Sequence, residues 1–293
     1  MFYTLLKIQR FFEALYYTGI SMLRILFRFK FKNSLRPYKQ ASRELLILGN
    51  GPSLQESLVN KKELMEGKDL MAVNLFVLSD EFTRLRPQNY VLLDIGFFKT
   101  NTIPRVREVT VRIIEEFLDK TDWEMNIFLP KEGKGSEFHR RLENSDKNFN
   151  FVFFNRTNVE GLRGFRHWAY KANLGMPKPQ NVLVGCLMLG ICMKYSQIYI
   201  LGADHSWLEN IRISDDNTLV SVEKHFYDKD GKGKPTKKEH PDTLQSAKLH
   251  DYLYDLARTF SSYHLIREFA DSEGVKVWNA SELSYIDAFD RSK

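Results

Sequence analysis

The sequence is short of the residues that staple a fold or hold a metal. Its 293 residues contain two cysteines, Cys186 and Cys192, six apart in one apolar segment. These build neither a disulfide framework nor a metal site, so a reducing, cytosolic setting is expected. There is no HExxH and no CxxC, and Asp215-Asp216 lies in a polar loop; no metal site is expected. Nor is there a GxSxG elbow or a GxxxxGK[ST] loop, which sets aside esterase and P-loop chemistry. Glycine and proline are sparse, at 16 and 9, beside 43% hydrophobic and 27% charged residues. That composition is globular, and the length suits one large α/β domain.

Acidic residues are scarce in one place. Between Lys7 and Arg43 there are nine Lys or Arg and a single acid, Glu13, so much of the net charge of +6 belongs to an N-terminal arm, residues 1–43. Stepped at about 100° per residue, Lys7, Arg10, Glu13, Thr18, Ser21, Arg24 and Arg28 fall within an arc of roughly 140°. The wider opposite face carries Leu5, Ile8, Phe12, Leu15, Tyr16, Met22, Ile25 and Leu26. Such a helix suits lying in a membrane surface through residues 1–32, and it carries too many charges to span one. It has no small-residue cleavage site, which argues against a signal peptide. Gly19 is expected to divide it in two. The competing reading packs it on the domain or on a second subunit, giving a homo-oligomer. No nucleic-acid partner is expected, because the aromatics are embedded in aliphatic surface rather than displayed along a polar groove.

In the body, residues 44–293, the organising stretch is Glu44–Leu54, ELLILGNGPSL. The apolar run Leu45–Leu48 has strand length and ends in Gly49-Asn50-Gly51-Pro52-Ser53. Two glycines permit a sharp turn and close approach, while Pro and Ser favour a helix start. A strand, a glycine turn and a helix N-terminus would offer free N–H groups and a positive dipole end to an anion. An ordinary βα connection has the same pattern. Further strands are expected at Asp69–Asn74, Asn89–Asp94, Met125–Pro130, Asn150–Asn155, Gln197–Asp204 and Val275–Ala280. Helices are expected over Gln55–Gly67, Pro104–Lys120, Asn181–Ser196 and about Thr243–Gly274. This alternation predicts an α/β, doubly wound, mostly parallel Rossmann-like sheet, with a mobile loop over about 205–245.

The apolar runs end repeatedly in polar groups: Asn50, Asn74, Asp94, Asn155 and Asp204. Each could be a cap or turn residue. Together they suggest a polar rim at the C-terminal strand ends, where open α/β sheets bind ligands. The third glycine of GxGxxG is missing and no acid ends the second strand, which disfavours NAD; no cofactor is expected. Among the histidines, His205 and His225 are the leading general-base candidates, ahead of His240, His250 and His264.

GNGPSL after a first strand, Asn74 ending the second, an apolar helix leading into QIYILGAD, and the closing VKVWNASELSYIDAFDR resemble the bacterial sialyltransferases of glycosyltransferase family 42. The same pattern recurs in related membrane-associated polysaccharide-synthesis proteins and in an archaeal pterin diphosphokinase-like group. The resemblance covers roughly residues 44–285 and implies a GT-A-like variant of the Rossmann fold. It assigns Asn50, Gly51, Ser53 and Asn74 to the nucleotide of a CMP-activated sugar; Gly49 of the same turn, and Asp94 and Asp204 of the same rim, join them as candidate binding residues. It further assigns His225 and Tyr227 to proton transfer and to the leaving phosphate, with His240 in reserve; His205 stays a candidate base from its place after the strand end at Asp204. Activity without a bound divalent metal is also implied. Where that family has Arg-x-Thr-Ser-Gly, this chain has Asn181-Val182-Leu183-Val184-Gly185, which argues against sialic acid itself. The expected activity is sugar transfer from a nucleotide-sugar to a lipid-linked or glycan acceptor in cell-envelope polysaccharide synthesis. The expected place is the cytoplasmic face of the inner membrane. Two alternatives are an ATP-dependent diphosphokinase-like transferase, with Mg²⁺ on Asp94 and Asp204, and a non-catalytic scaffold.

Overall fold

The computed structural model describes residues 2–28, 41–99, 104–223, 234–237 and 247–292. Eight strands form one sheet in which every pairing is parallel. They are β1 (Glu44–Leu48), β2 (Asp69–Val73), β3 (Asn89–Val91), β4 (Met125–Pro130), β5 (Phe149–Phe154), β6 (Gln197–Leu201), β10 (Lys276–Asn279) and β11 (Asp290–Arg291). A small antiparallel sheet joins β7 (Ile211–Ile213), β8 (Leu219–Glu223) and β9 (Lys234–Lys237). The helices are α1 (Phe2–Arg28), α2 (Leu54–Asn60), α3 (Lys62–Met65), α4 (Asp80–Leu85), α5 (Pro104–Lys120), α6 (Glu137–Glu143), α7 (Arg163–Lys171), α8 (Val182–Cys192) and α9 (Leu249–Ser272).

The large sheet runs β11-β10-β6-β1-β2-β3-β4-β5. From β1 the chain winds outward through β5, then returns to lay β6 on the other side of β1. The switch point therefore lies between β1 and β6, as their register of Glu44 with Gln197 through Leu48 with Leu201 shows. In such sheets the crevice beyond that point is the ligand position.

Central strands read as unbroken apolar runs because both faces are covered. In β1, Leu45 and Ile47 enter a core shared with α7, α8 and α9. Leu46 and Leu48 enter a second core with α2, α4, α5 and α6. The period of two in a strand thus sorts one hydrophobic run into two layers. Each fully buried leucine contributes roughly 2 kcal/mol of transfer free energy. Helix α8 is apolar all round, and nine of its residues are buried, as a helix wedged between sheet and helices must be.

Three expectations change. The helix over Gln55–Gly67 is two pieces, broken at Lys61, whose ammonium reaches Ala280 O at 2.9 Å and Glu282 at 3.2 Å. Gly19 does not divide α1, which is one continuous helix. Helix α9 begins at Leu249, and residues 243–246 lie outside the described residues.

Helix α1 packs on the body through its polar stripe. Thr18 and Ser21 are buried. Leu162 N–H donates to Thr18 Oγ1 at 2.8 Å, and Ser21 Oγ both donates to Glu160 O at 3.0 Å and accepts from Glu160 N–H at 2.9 Å. Arg24 pairs with Glu160 at 3.3 Å, and Arg258 of α9 reaches the same carboxylate at 3.1 Å. Gly161 lets the two backbones meet: its φ is +116°, and a Cβ there would lie 2.2 Å from Thr18 Oγ1. Among the described residues, no helix is long and apolar enough to cross a membrane.

Candidate functional site

The loops after β1 and β6 interlock at the switch point. Gly49 N–H donates to Leu201 O at 2.8 Å, and Gly51 N–H donates to Gly202 O at 2.8 Å. A Cβ would stand 2.3 Å from Gly202 O at Gly49 and 2.7 Å from it at Gly51. These glycines therefore serve close approach of two backbones. Ser53 donates its N–H to one oxygen of the Asp204 carboxylate at 2.8 Å and its hydroxyl to the other.

This geometry changes the expected role of the turn. The Gly49, Gly51 and Ser53 N–H groups go to protein acceptors rather than to a free anion, and the anion at the start of α2 is Asp204 itself. Burial raises the Asp204 carboxyl above its usual range, and the two bonds from Ser53 pull it back. A buried carboxylate held by two donors is a structural clasp.

The C-terminal segment braces the same junction. Ala203 N–H donates to Ser281 Oγ at 2.9 Å, and Ser284 Oγ donates to Ala203 O at 2.6 Å. Asn279 reaches Ser284 Oγ at 3.1 Å and Ile286 O at 3.2 Å, while Tyr285 N–H donates to Asp204 O at 2.9 Å. The three motifs GNGPSL, GAD and NAS are thus one hydrogen-bonded unit.

Asn50 and Asn74 sit at the next strand ends. Asn50 Nδ2 donates to Val73 O at 3.2 Å, tying the end of β1 to that of β2. Asn74 has a left-handed backbone, φ 46°, which Asn tolerates well. The Oδ1 atoms of both are buried without a protein donor, a condition that folded proteins rarely leave unanswered. Asp94, after β3, is exposed and accepts Gly96 N–H at 2.8 Å. Asn155 does not join the rim: it is buried, with Nδ2 donated to Asn173 O at 2.8 Å.

His205 follows the clasp in a left-handed conformation, φ 53°. Its ring lies 4.2 Å from that of Trp207 and also contacts Phe260 and Tyr263. Its Nε2 is 2.6 Å from Tyr263 Oη, which Asn181 Nδ2 approaches at 2.8 Å. Asn181 Oδ1 meanwhile caps α8, accepting from Leu183 N–H at 2.9 Å. Enclosure by these rings pushes the imidazole down to about 3, so it is neutral at pH 7. Its Nε2 is engaged by Tyr263 rather than directed at an incoming hydroxyl.

His225 and Tyr227 lie outside the described residues, as does His240. His250 and His264 are exposed on α9; His264 pairs with Asp287 at 3.1 Å.

All of the rim residues on the β1, β2, β3 and β6 ends line one cleft of about 2380 Å³. A small-molecule site takes about 300–1,000 Å³, so this cleft is larger than a single such site. The opposite wall carries Arg156, Asn158, Lys178, Asn181 and, from α9, Asp255 and Thr259. Lys178 is matched by Asp255 at 3.5 Å. Arg156 is half-buried and, among the described residues, meets no acceptor. Sequence reasoning passed over Arg156, although it directly follows Asn155 at a strand end and the same rim rule points to it. Tyr263 carried no comparable signal, since it lies 58 residues from its partner His205.

Fold and cleft together define a doubly wound, Rossmann-like α/β protein with its candidate binding site at the topological switch point. No protein-family model matches the chain, and no curated protein matches it. Among solved structures it is similar to the MAf glycosyltransferase from Magnetospirillum magneticum AMB-1, with a TM-score of 0.51 and 10% identity. The match covers 89% of this chain and 35% of that one, so the chain spans about a third of that protein's length. At this identity the likeness concerns the fold.

Proposed function

We propose that the chain is a glycosyltransferase that binds a nucleotide-sugar, CMP-activated by the family 42 resemblance, and passes the sugar to a lipid-linked or glycan acceptor. The observation that carries this is the cleft. It lies at the switch point of a fold shared with a glycosyltransferase, and it is larger than a single small-molecule site. The resemblance adds cell-envelope polysaccharide synthesis at the cytoplasmic face of the inner membrane as its setting.

In this reading the acceptor oxygen forms a bond to the anomeric carbon as the bond from that carbon to the donor phosphate breaks. The acceptor proton passes to a base, and the negative charge leaves with the nucleotide. Asn50 and Asn74, which line the cleft at the ends of β1 and β2, stand nearest the nucleotide. Arg156 is, among the described residues, a cleft-lining cation that meets no acceptor, and it suits the leaving phosphate, where preorganised positive charge counts most. Gly49, Gly51, Ser53 and Asp204 keep the floor rigid rather than cradling the phosphate. His225 is the first candidate for the base and Tyr227 for a phosphate ligand. His205, neutral but tied to Tyr263, is the second candidate base.

The diphosphokinase alternative fits less well, because both oxygens of Asp204 are committed to Ser53. The scaffold alternative requires that no nucleotide bind. The expectation of no metal site overlooked Asp228 and Asp230, which stand at the Asp-x-Asp spacing used by metal-dependent sugar transferases, so chelation is an informative arm. The test is sugar transfer with and without EDTA, for wild type, His225→Ala and His205→Ala. The expectation is activity that survives EDTA and falls at least about 100-fold in one histidine variant. Full activity in both variants would overturn the assigned chemistry.

A further inference from the structure

Helix α1 spends its polar groups on the protein. Thr18, Ser21 and Arg24 all face the 158–162 segment, and Ile25, expected on the outward apolar face, instead packs on the core beside them because it falls at the angle of the polar stripe. What remains outside is a face of Leu5, Ile8, Phe12, Leu15, Met22, Leu23 and Leu26, each between 48% and 72% exposed. A continuous apolar face of this kind on a soluble surface marks an interaction site. Before Ala14 nearly every described side chain is exposed, including Lys7 and Arg10 on the polar arc of the helix. With nine basic residues against one acid between Lys7 and Arg43, the complementary partner is an anionic, apolar-cored surface. Two copies of α1 face to face would bring like charges together.

The dock also fixes where the cleft points. Arg24 and Phe27, on the last turn of α1, line the cleft as well as belonging to the helix. Glu160 ties α1 to α9 through Arg24 and Arg258, and α9 supplies the cleft wall.

We infer that α1 seats this protein on an anionic bilayer as a docked element rather than a loose tether. Its outward apolar face lies in the membrane surface. The Thr18–Ser21–Arg24 contacts hold the rim of the cleft at that surface, so the acceptor enters from the bilayer as a lipid-borne molecule. The last step rests on the transferase reading; membrane seating does not.

The experiment is flotation of the full-length protein with phosphatidylcholine vesicles, with and without about 30% phosphatidylglycerol, and no donor present. Wild type is expected to float with the anionic vesicles at least about tenfold more than with the neutral ones. Leu15→Glu/Met22→Glu/Leu26→Glu changes only exposed positions, so it should keep the wild-type melting curve and lose flotation. Wild type that stays unbound, or a triple variant that floats equally, would overturn the seating. So would a wild-type dimer that the triple variant converts to monomer without any vesicle binding. Gly161→Ala pushes on Thr18 and is expected to float normally while losing at least about tenfold in transfer to a vesicle-borne acceptor. Its transfer to a soluble acceptor analogue should be unchanged; equal loss on both would contradict the positioning role. Wild type that floats but transfers no sugar would end the transferase reading and leave the seating intact.

Discussion

Two places in this molecule join segments far apart in sequence through glycines and short polar side chains, and they do opposite things with the same materials. At the β1/β6 junction, Gly49, Gly51 and Gly202 let two loops touch, and Ser53 closes on Asp204 across 151 residues. At the α1 dock, Gly161 lets a helix touch a loop, and Ser21 closes on Glu160 across 139 residues. The junction is braced by β10, the C-terminal loop and α2, and its remaining side lines the cleft. The dock is one-sided, with an apolar face left outside. Sealing the first makes a rigid floor for a cleft, whereas leaving the second open gives the cleft a fixed relation to whatever covers α1.

The comparison can be broken from the junction side first. Gly49→Ala forces a Cβ against a backbone oxygen that cannot swing away, and should cost about 3 kcal/mol or more, read as a fall in the chemical-denaturation midpoint. Asp204→Ala strands the N–H and hydroxyl of Ser53 and should cost about 1–3 kcal/mol, with Asp204→Asn retaining part of the loss. A change below about 0.5 kcal/mol in either would mean that the clasp is not structural.

His205 sharpens the same point through pH. Its folded value of about 3 lies below the unfolded 6.5. Between those values the unfolded chain binds the extra proton, so the stabilisation is complete above about pH 6.5 and is lost as pH falls toward 3. The slope is at most about 1.4 kcal/mol per pH unit. Asp204, raised by burial, runs the other way and loses stability as pH rises through its folded value. His205→Asn keeps a residue that tolerates φ 53° and should flatten the acid side of the curve; parallel curves would contradict the enclosed, neutral imidazole.

The smallest effect belongs to the dock. Gly161→Ala should cost about 1–2 kcal/mol locally, since α1 can yield where a sheet cannot. Limited proteolysis should then cut α1 faster while the melting of the body is unchanged.

The sheet was legible in the sequence because each central strand is an apolar run of strand length ended by Gly, Asn or Asp. Met125–Pro130 and Pro104–Lys120 match the observed elements. The short helices α4, α6 and α7 were missed, since six to nine residues hold too few turns to show a period. The rim residues were legible one strand at a time, but their division of labour was not. That Ser53 faces Asp204, or His205 faces Tyr263, depends on strand order, which no local pattern encodes. The amphipathicity of α1 was plain; which side faces the protein was not, because Thr18 and Ser21 read equally well as solvated residues.

The central claim is that the cleft at the β1/β6 switch point holds a nucleotide-sugar. Isothermal titration of the full-length protein with CMP, CDP, UDP, GDP and ATP, repeated on Arg156→Ala, tests it most directly. One pyrimidine nucleotide should bind at a single site without added metal, and Arg156→Ala should weaken it at least about tenfold. Binding of no nucleotide, or of ATP alone and only with Mg²⁺, would contradict it.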